Sequence, residues 1–177
     1  MGLFVFHQLQ AGIYKNLKNP PNKYRPAPFW SWNEKLDINE TAAQVREMEE
    51  VGIGGYFMHA RGGLQTEYMS DEWFNNVKAT LREGKKLGMQ SWGYDENGWP
   101  SGHANGMVKK AYPNCKIEWI APKGKKGFSK KSKGSVNVLD KKAVDLFIEI
   151  THEAYKKSLS PEAWDYVEGF FSDEVGF

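Results

Sequence analysis

"IGGYFMHAR", residues 53–61, decides the fold, because it has the pattern of a strand that is apolar on both faces. Such strands are typical of a parallel sheet that is covered on both sides. A helical pattern precedes it at 36–52, "LDINETAAQVREMEEVG", and another follows at 70–88, "SDEWFNNVKATLREGKKLG". A buried strand between two helices predicts repeated βα units and a parallel sheet.

Both helical patterns carry the residues that begin and end helices. Asp37 is the expected N-cap of the first helix, with Glu40 completing a capping box, and Gly52 ends the helix. Ser70 is the expected N-cap of the second helix, acids fill its first turn, and Gly88 ends it. These signals fix the two helices on either side of the central strand.

Three further strands and one further helix are predicted along the chain. The strands are "FWSWN" (29–33), "MQSWGYDE" (89–96) and "YVEGFFSDE" (166–174), and Asp140 caps one long amphipathic helix, "KKAVDLFIEITHEAYKKSL" (141–159). Right-handed crossovers between parallel strands fit either an open doubly wound sheet or part of a (β/α)8 barrel. No Gly-rich phosphate fingerprint follows the first strand, which disfavours a nucleotide-binding sheet.

Each predicted strand ends on polar or aromatic side chains that could build a site. These are Trp32 with Asn33, His59 with Arg61, Asp95 with Glu96, and Asp173 with Glu174. All strand C-termini of a (β/α)8 barrel open onto one face, where sites are built. We therefore predict an α/β fold that is a partial barrel, with about four βα units and parallel strands. Its uncovered first and fourth strand edges predict a homo-oligomer or association with another chain.

The rest of the chain is predicted to be less regular. Residues 1–25 are expected to form an extended N-terminal lead-in, and residues 26–177 the first half of the barrel. Within the second part, "KGKKGFSKKSKG" (123–134) is predicted to be a solvated, mobile loop, with a polyanion site as the alternative.

Composition limits the class of protein. A chain of 177 residues with 40% hydrophobic content suffices for one compact domain, and its net charge of +2 gives no reason to expect a nucleic-acid partner. Cys115 is the single cysteine, so no intrachain disulfide can form. Neither a signal peptide nor a transmembrane span is visible, so we expect a soluble, cytoplasmic protein with no membrane partner.

The acidic pair at the end of the fourth strand predicts a catalytic acid. Phe170 and Phe171 are expected to enclose Glu174, beside Asp173, and burial would raise the pKa of its carboxyl. A raised pKa suits a general acid at neutral pH. The alternative is a solvent-exposed acidic turn.

The second acidic pair predicts a sugar-binding lip. Asp95 and Glu96 are flanked by Trp92 and Trp99. Carboxylates accept hydrogen bonds from sugar hydroxyls, and indole faces stack on sugar rings. The alternative is a capped turn in which Asp95 accepts backbone N–H groups of residues 98–102.

The sequence also predicts the positions of two histidines and of the two Trp residues in the first strand. His59 and Arg61 are expected to bind hydroxyls or a carboxylate, and no metal site is assigned to them. His152 is expected to be a packed or surface residue of the long helix. Of Trp30 and Trp32, one is expected in the core and the other at the rim.

Several of these segments together resemble a known enzyme family. "PFWSWNEKLD", "GIGGYFMHARGGL", "YMSDEWF", "GYDENGWPSG", "ITHEAY" and "GFFSDE" are similar, in this order, to landmarks of the α-L-rhamnosidase-type glycoside hydrolases of family 106. The resemblance covers roughly residues 26–175 and implies a (β/α)8 barrel, a carbohydrate substrate and calcium-aided, inverting hydrolysis. It also implies that Glu174 is the general acid and that Asp95, Glu96 and Trp99 bind the sugar. It assigns no calcium ligands here.

The sequence departs from this family in ways that leave two functions open. The segment between the third strand and the next helix is short, and nothing of the barrel follows the fourth strand. Inversion requires two carboxyls about 6.5–9.5 Å apart, and the partner of Glu174 would come from a later strand. We therefore expect a glycoside hydrolase fragment that is inactive or weak by itself. The alternative is a non-catalytic half-barrel that binds carbohydrate or assembles with another chain.

Overall fold

The computed structural model describes residues 13–174. The strands are β1 (Phe29–Trp32), β2 (Gly55–Ala60), β3 (Gln90–Asn97), β4 (Lys116–Pro122), β5 (Phe128–Val136) and β6 (Val167–Phe171). The helices are α1 (Ile38–Glu50), α2 (Asp71–Leu87), α3 (Met107–Ala111), α4 (Lys141–Ile150), α5 (His152–Ser158) and α6 (Pro161–Trp164). No helix within 13–174 is long and apolar enough to span a membrane.

The main sheet has four strands in the order β1-β2-β3-β6, and every neighbouring pair is parallel. This confirms an α/β fold with a four-stranded parallel sheet, in which the four predicted strands lie side by side in chain order. Within the described part of the chain, β1 and β6 each pair on one side only, so the sheet is open and a closed barrel is not shown.

The main core lies between the sheet and the helices on one of its faces. β2 contributes Tyr56 and Met58, α1 contributes Val45, and α2 contributes Trp73 and Val77, all with no measurable exposure. Burying each large apolar side chain contributes roughly 1.5–3 kcal/mol, so this layer makes a large contribution to stability.

The opposite face of the sheet is lined by aromatic rings. The ring centroids of Phe29 on β1 and Phe171 on β6 lie 4.9 Å apart, and Phe29 also contacts Phe57, 5.2 Å away. Since strands are about 4.8 Å apart, β1 and β6 of a flat sheet would be separated by roughly 14 Å. The contact between Phe29 and Phe171 therefore requires the sheet to curl toward this aromatic face.

The predicted helix ends are confirmed except for the capping box. Asp37 accepts hydrogen bonds from the Asn39 and Glu40 amides, and Ser70 accepts one from the Trp73 amide. Glu40 does not complete a capping box, because its Oε1 accepts from the Gln44 side chain instead, at 3.0 Å.

The long third helix was predicted as one element, and this prediction is wrong. It breaks between α4 and α5 at Thr151, whose ψ of −85° departs from helical geometry. The Thr151 hydroxyl donates to the Phe147 carbonyl at 2.6 Å, an interaction that bends helices. The break matters because it turns His152 toward the end of β3.

Two other segments are more ordered than predicted. The Lys/Gly/Ser segment is not a mobile loop, because β4 and β5 pair as an antiparallel hairpin. Its side chains are mostly solvated, so the backbone ladder and the buried Val136 hold it in place. In the lead-in, residues 13–18 are helical and Asn22 donates to the Gly88 carbonyl at 2.9 Å, so this described part is not simply extended. Residues 1–12 of the predicted lead-in lie outside the described residues.

Candidate functional site

Backbone hydrogen bonds join the carboxyl ends of the four parallel strands. The bonds run from Gly98 to Ala60, from Arg61 to Trp32 and from Ser101 to Asp173, over 3.0, 3.0 and 3.1 Å. The structure therefore brings the predicted polar strand ends to one edge of the sheet. Their side chains do not all point the same way, and they form three separate environments.

The first environment is a stack on the aromatic face. The rings of His59 and Tyr94 are 3.5 Å apart and nearly parallel, and the Tyr94 hydroxyl donates to Asp173 Oδ2 at 2.7 Å. Burial, with the positive charge of Arg61 adding to it, lowers the pKa of His59 to about 4. Burial, followed by the hydrogen bond to Asp173, raises the pKa of Tyr94 far above its usual range. His59 is therefore neutral and Tyr94 protonated at pH 7.

The second environment is a pocket beside Trp99. The Arg61 guanidinium lies 4.4 Å from the centre of the Trp99 ring, and the indole is 61% exposed. The pocket has a volume of about 380 Å³. Its walls include Arg61, Leu64, Asn97, Trp99 and Asn105. An aromatic face next to a guanidinium and two amides offers both stacking and hydrogen-bond donors to a polar ring.

Glu96, near the end of β3, does not face this pocket, because the loop that follows the strand buries its side chain. Its carboxylate accepts four backbone N–H bonds, from residues 97, 103, 104 and 105, over 2.5–3.0 Å. Ala104 and Asn105 have φ angles of 48° and 53°, so their successive amides form a concave anion site that Glu96 fills. The carboxylate holds the loop and has little capacity left for a ligand.

The third environment surrounds Asp95 on the helix-covered face. The Ser101 hydroxyl donates to Asp95 Oδ1 at 2.6 Å, and His152 Nε2 lies 3.7 Å from Asp95 Oδ2. Burial raises the pKa of Asp95, and hydrogen bonds from the Ser101 and Ser172 hydroxyls offset part of that effect. The alternative prediction of a turn capped by Asp95 is wrong, because Asp95 accepts from the Ser101 side chain and the amides of residues 97 and 103–105 donate to Glu96 instead.

Three residues of this edge were missed by sequence reasoning. Tyr94 lies in an apolar strand pattern that is typical of a core residue. Ser101 is a loop serine, yet its hydroxyl accepts from the Asp173 amide at 2.8 Å while it donates to Asp95. His152 was assigned to a continuous helix. The "SG" that follows "NGWP" was the one signal that a polar loop returns to the strand end.

The other predicted site residues lie apart from these groups. Trp32 is 2% exposed and packs on Trp30, with ring centroids 5.3 Å apart, so the expected division between core and rim is wrong. Residues two apart on a strand share a face, which is the physical reason. Asn33 and Glu174 are exposed.

The predicted apolar enclosure of Glu174 is also wrong. Phe170 packs on Tyr155 on the helix side, whereas Phe171 packs on Tyr94 on the aromatic face. Successive strand residues point to opposite faces, so the two rings cannot close over one carboxyl.

The carboxylates of this edge do not fit a calcium site. Among residues 13–174, no group of three or more His, Cys, Asp or Glu side chains is placed to hold a metal ion. Calcium requires six to eight oxygen ligands, whereas Glu96 is saturated by backbone amides and Asp173 is bonded to Tyr94.

Comparison with solved structures gives a weak structural likeness. No protein-family model and no curated protein matches the chain. The chain is similar to the solved structure of a rhamnosidase from Novosphingobium sp. PP1Y, with 26% sequence identity and a TM-score of 0.43. The match covers 48% of this chain and only 9% of the rhamnosidase. So low a TM-score does not establish a common fold.

Proposed function

We propose that the chain is part of a glycoside hydrolase of the α-L-rhamnosidase type and binds carbohydrate in the pocket beside Trp99. The observation that carries the proposal is the exposed indole of Trp99, which forms a wall of a pocket with Arg61 and Asn97. A sugar ring has an apolar face and a polar rim, so it needs an aromatic platform beside hydrogen-bonding groups. The motif resemblance to glycoside hydrolase family 106 supports the same substrate class.

We propose a partial (β/α)8 barrel as the scaffold of this pocket. The chain-order sequence of parallel strands, the helices on one face and the curl toward the aromatic face all support it. The β1 and β6 edges would then pair with further strands, from a second copy or another segment. Light scattering during size-exclusion chromatography tests pairing between copies, because a monomer at all concentrations would contradict it.

Binding is tested by calorimetric titration with methyl α-L-rhamnopyranoside. We expect Trp99→Ala to weaken binding about tenfold, because aromatic contacts of this kind contribute roughly 1 kcal/mol or more. Trp119→Ala is the matched control, since Trp119 is also exposed but lies on the hairpin, in β4. Equal affinity of the Trp99→Ala variant and the unmodified protein would contradict the proposal.

Catalysis is a separate part of the proposal and assigns the general acid to Glu174. The exposure of Glu174 and the commitment of Glu96 to its loop favour a second candidate function, a carbohydrate-binding module that does not hydrolyse. Hydrolysis of p-nitrophenyl α-L-rhamnoside distinguishes the two. Turnover that is lost in Glu174→Gln but kept in Glu168→Gln, an exposed acid on β6, supports the hydrolase. Binding without turnover supports the module.

A further inference from the structure

A second cavity lies on the other side of the strand edge, between β5, α4 and β6. Its volume is about 370 Å³. Its apolar walls are formed by Val136, Val138, Ala143, Val144, Phe147, Ile148 and Phe170. Asp95, Ser101 and His152 make up most of its polar end, and none of them lines the pocket beside Trp99. Ile148 is 42% exposed, so the cavity is open to solvent along α4.

The hydrogen bonds around His152 fix which ring nitrogen carries the proton. The Thr151 hydroxyl has one hydrogen, which it donates to the Phe147 carbonyl. The contact of 2.9 Å between Thr151 Oγ1 and His152 Nδ1 therefore requires Nδ1 to be the donor. In the neutral ring, Nε2 is then an acceptor, and it points toward Asp95 Oδ2 at 3.7 Å.

Two acceptors thus face each other at the polar end of the cavity. Burial lowers the pKa of His152, which favours the neutral ring. Asp95 Oδ1 accepts from Ser101, and the carboxylate also accepts from the Ser172 hydroxyl at the same cavity. Acceptor capacity remains, because a carboxylate accepts about four hydrogen bonds. Since the two acceptor atoms are only 3.7 Å apart, one atom that carries two or more donors, such as an ammonium nitrogen, can satisfy both.

We propose that this cavity binds primary amines, with the ammonium group held between Asp95 Oδ2 and His152 Nε2 and an apolar tail along the α4 side chains. A protonated primary amine has three N–H donors and a positive charge, so it satisfies both acceptors and neutralises the buried carboxylate. A hydroxyl has one donor and satisfies only one of them. The cavity volume lies at the lower end of the range that accommodates small organic ligands. This site is independent of the proposed carbohydrate function.

Calorimetric titration with 2-phenylethylammonium chloride at pH 7.5 tests the site. The comparison probe is 2-phenylethanol, which has the same apolar tail and a neutral head group. We expect the ammonium to bind at least about tenfold more tightly than the alcohol, since charged hydrogen bonds are the stronger ones. Asp95→Asn should remove that preference. Asp145→Asn should keep it, because Asp145 is an exposed α4 acid paired with Lys141.

A cavity-filling variant keeps the test independent of the stability of Asp95→Asn. Val144→Phe inserts a ring among the walls without changing the charges, and it should weaken both probes. Three results would overturn the proposal: equal affinity for the two probes in the unmodified protein, an ammonium affinity that Asp95→Asn leaves unchanged, or no saturable binding of the ammonium.

Discussion

Asp95 and Glu96 are neighbours in sequence and are equally buried, with each residue 1% exposed, yet the groups that surround their carboxylates differ. Glu96, near the end of β3, accepts four backbone N–H bonds from Asn97 and the loop that follows. Asp95 lies at the cavity on the helix side, where hydroxyls and an imidazole surround it. The Glu96 carboxylate is saturated by backbone donors and holds the loop, whereas the Asp95 carboxylate keeps acceptor capacity toward the cavity.

The largest effect on the free energy of unfolding is expected from removing the Glu96 charge, which holds the loop after β3. Glu96→Gln places an NH₂ group against backbone N–H donors and should lower the free energy of unfolding by about 3 kcal/mol or more, since each charged hydrogen bond contributes roughly 1.5–3 kcal/mol. Urea unfolding measures it. Glu67→Gln, at an exposed acid, is the control and should stay within about 0.5 kcal/mol. If the Glu96→Gln protein is as stable as the control, Glu96 does not hold the loop and the contrast between Glu96 and Asp95 is wrong.

A smaller effect on the free energy of unfolding is expected when the pH is lowered, because His59 on the aromatic face becomes protonated. Its pKa is about 4 in the folded protein and about 6.5 when unfolded, so acidification favours the unfolded state. Stability from this group should be nearly complete above pH 6.5 and fall by roughly 2 kcal/mol as the pH drops to 5. Urea unfolding at several pH values measures the loss. His59→Phe should reduce it, and an unchanged pH profile in that variant would assign the loss to other groups.

The smallest effect on the free energy of unfolding is expected for the Asp95→Asn variant, and it is opposite in sign to the effect of Glu96→Gln. Because burial raises the pKa of Asp95, its ionised form disfavours the folded state, and stability from this group increases as the pH falls through the folded pKa. At pH 7, Asp95→Asn should leave the free energy of unfolding unchanged or raise it by up to about 1 kcal/mol. Measuring Asp95→Asn in a protein that also carries His59→Phe separates the pH dependence due to Asp95 from that due to His59. A loss as large as that of Glu96→Gln would contradict the comparison.

Much of the fold could be predicted because its signals are local. Apolar runs bounded by caps such as Asp37 and Ser70 specify each strand and helix, and the alternation of elements specifies parallel pairing. The hairpin of β4 and β5 was missed because its stability comes from a backbone ladder, which a run of Lys, Gly and Ser does not reveal. The break at Thr151 depends on a single hydroxyl and is equally invisible in the apolar periodicity.

The sequence predicts which edge of the sheet holds the polar residues, but it does not predict the surroundings of each side chain there. Parallel strands place their carboxyl ends together, which locates Asp95 and His59 correctly along the sheet. Which side chain meets a loop amide, a cavity or an open face depends on how the loop after β3 returns, and that is a tertiary property. For this reason the sequence could not separate Asp95 from Glu96.

The central claim is that one strand edge has two separate sites, the carbohydrate pocket beside Trp99 and the cavity at Asp95. The most direct test is a ¹H–¹⁵N NMR titration with methyl α-L-rhamnopyranoside. We expect shifts of the Trp99 indole N–H and of the Asn97 and Asn105 amides, with the Asp95 and His152 amides unchanged. The largest shifts at Asp95 or His152, or none at Trp99, would contradict it.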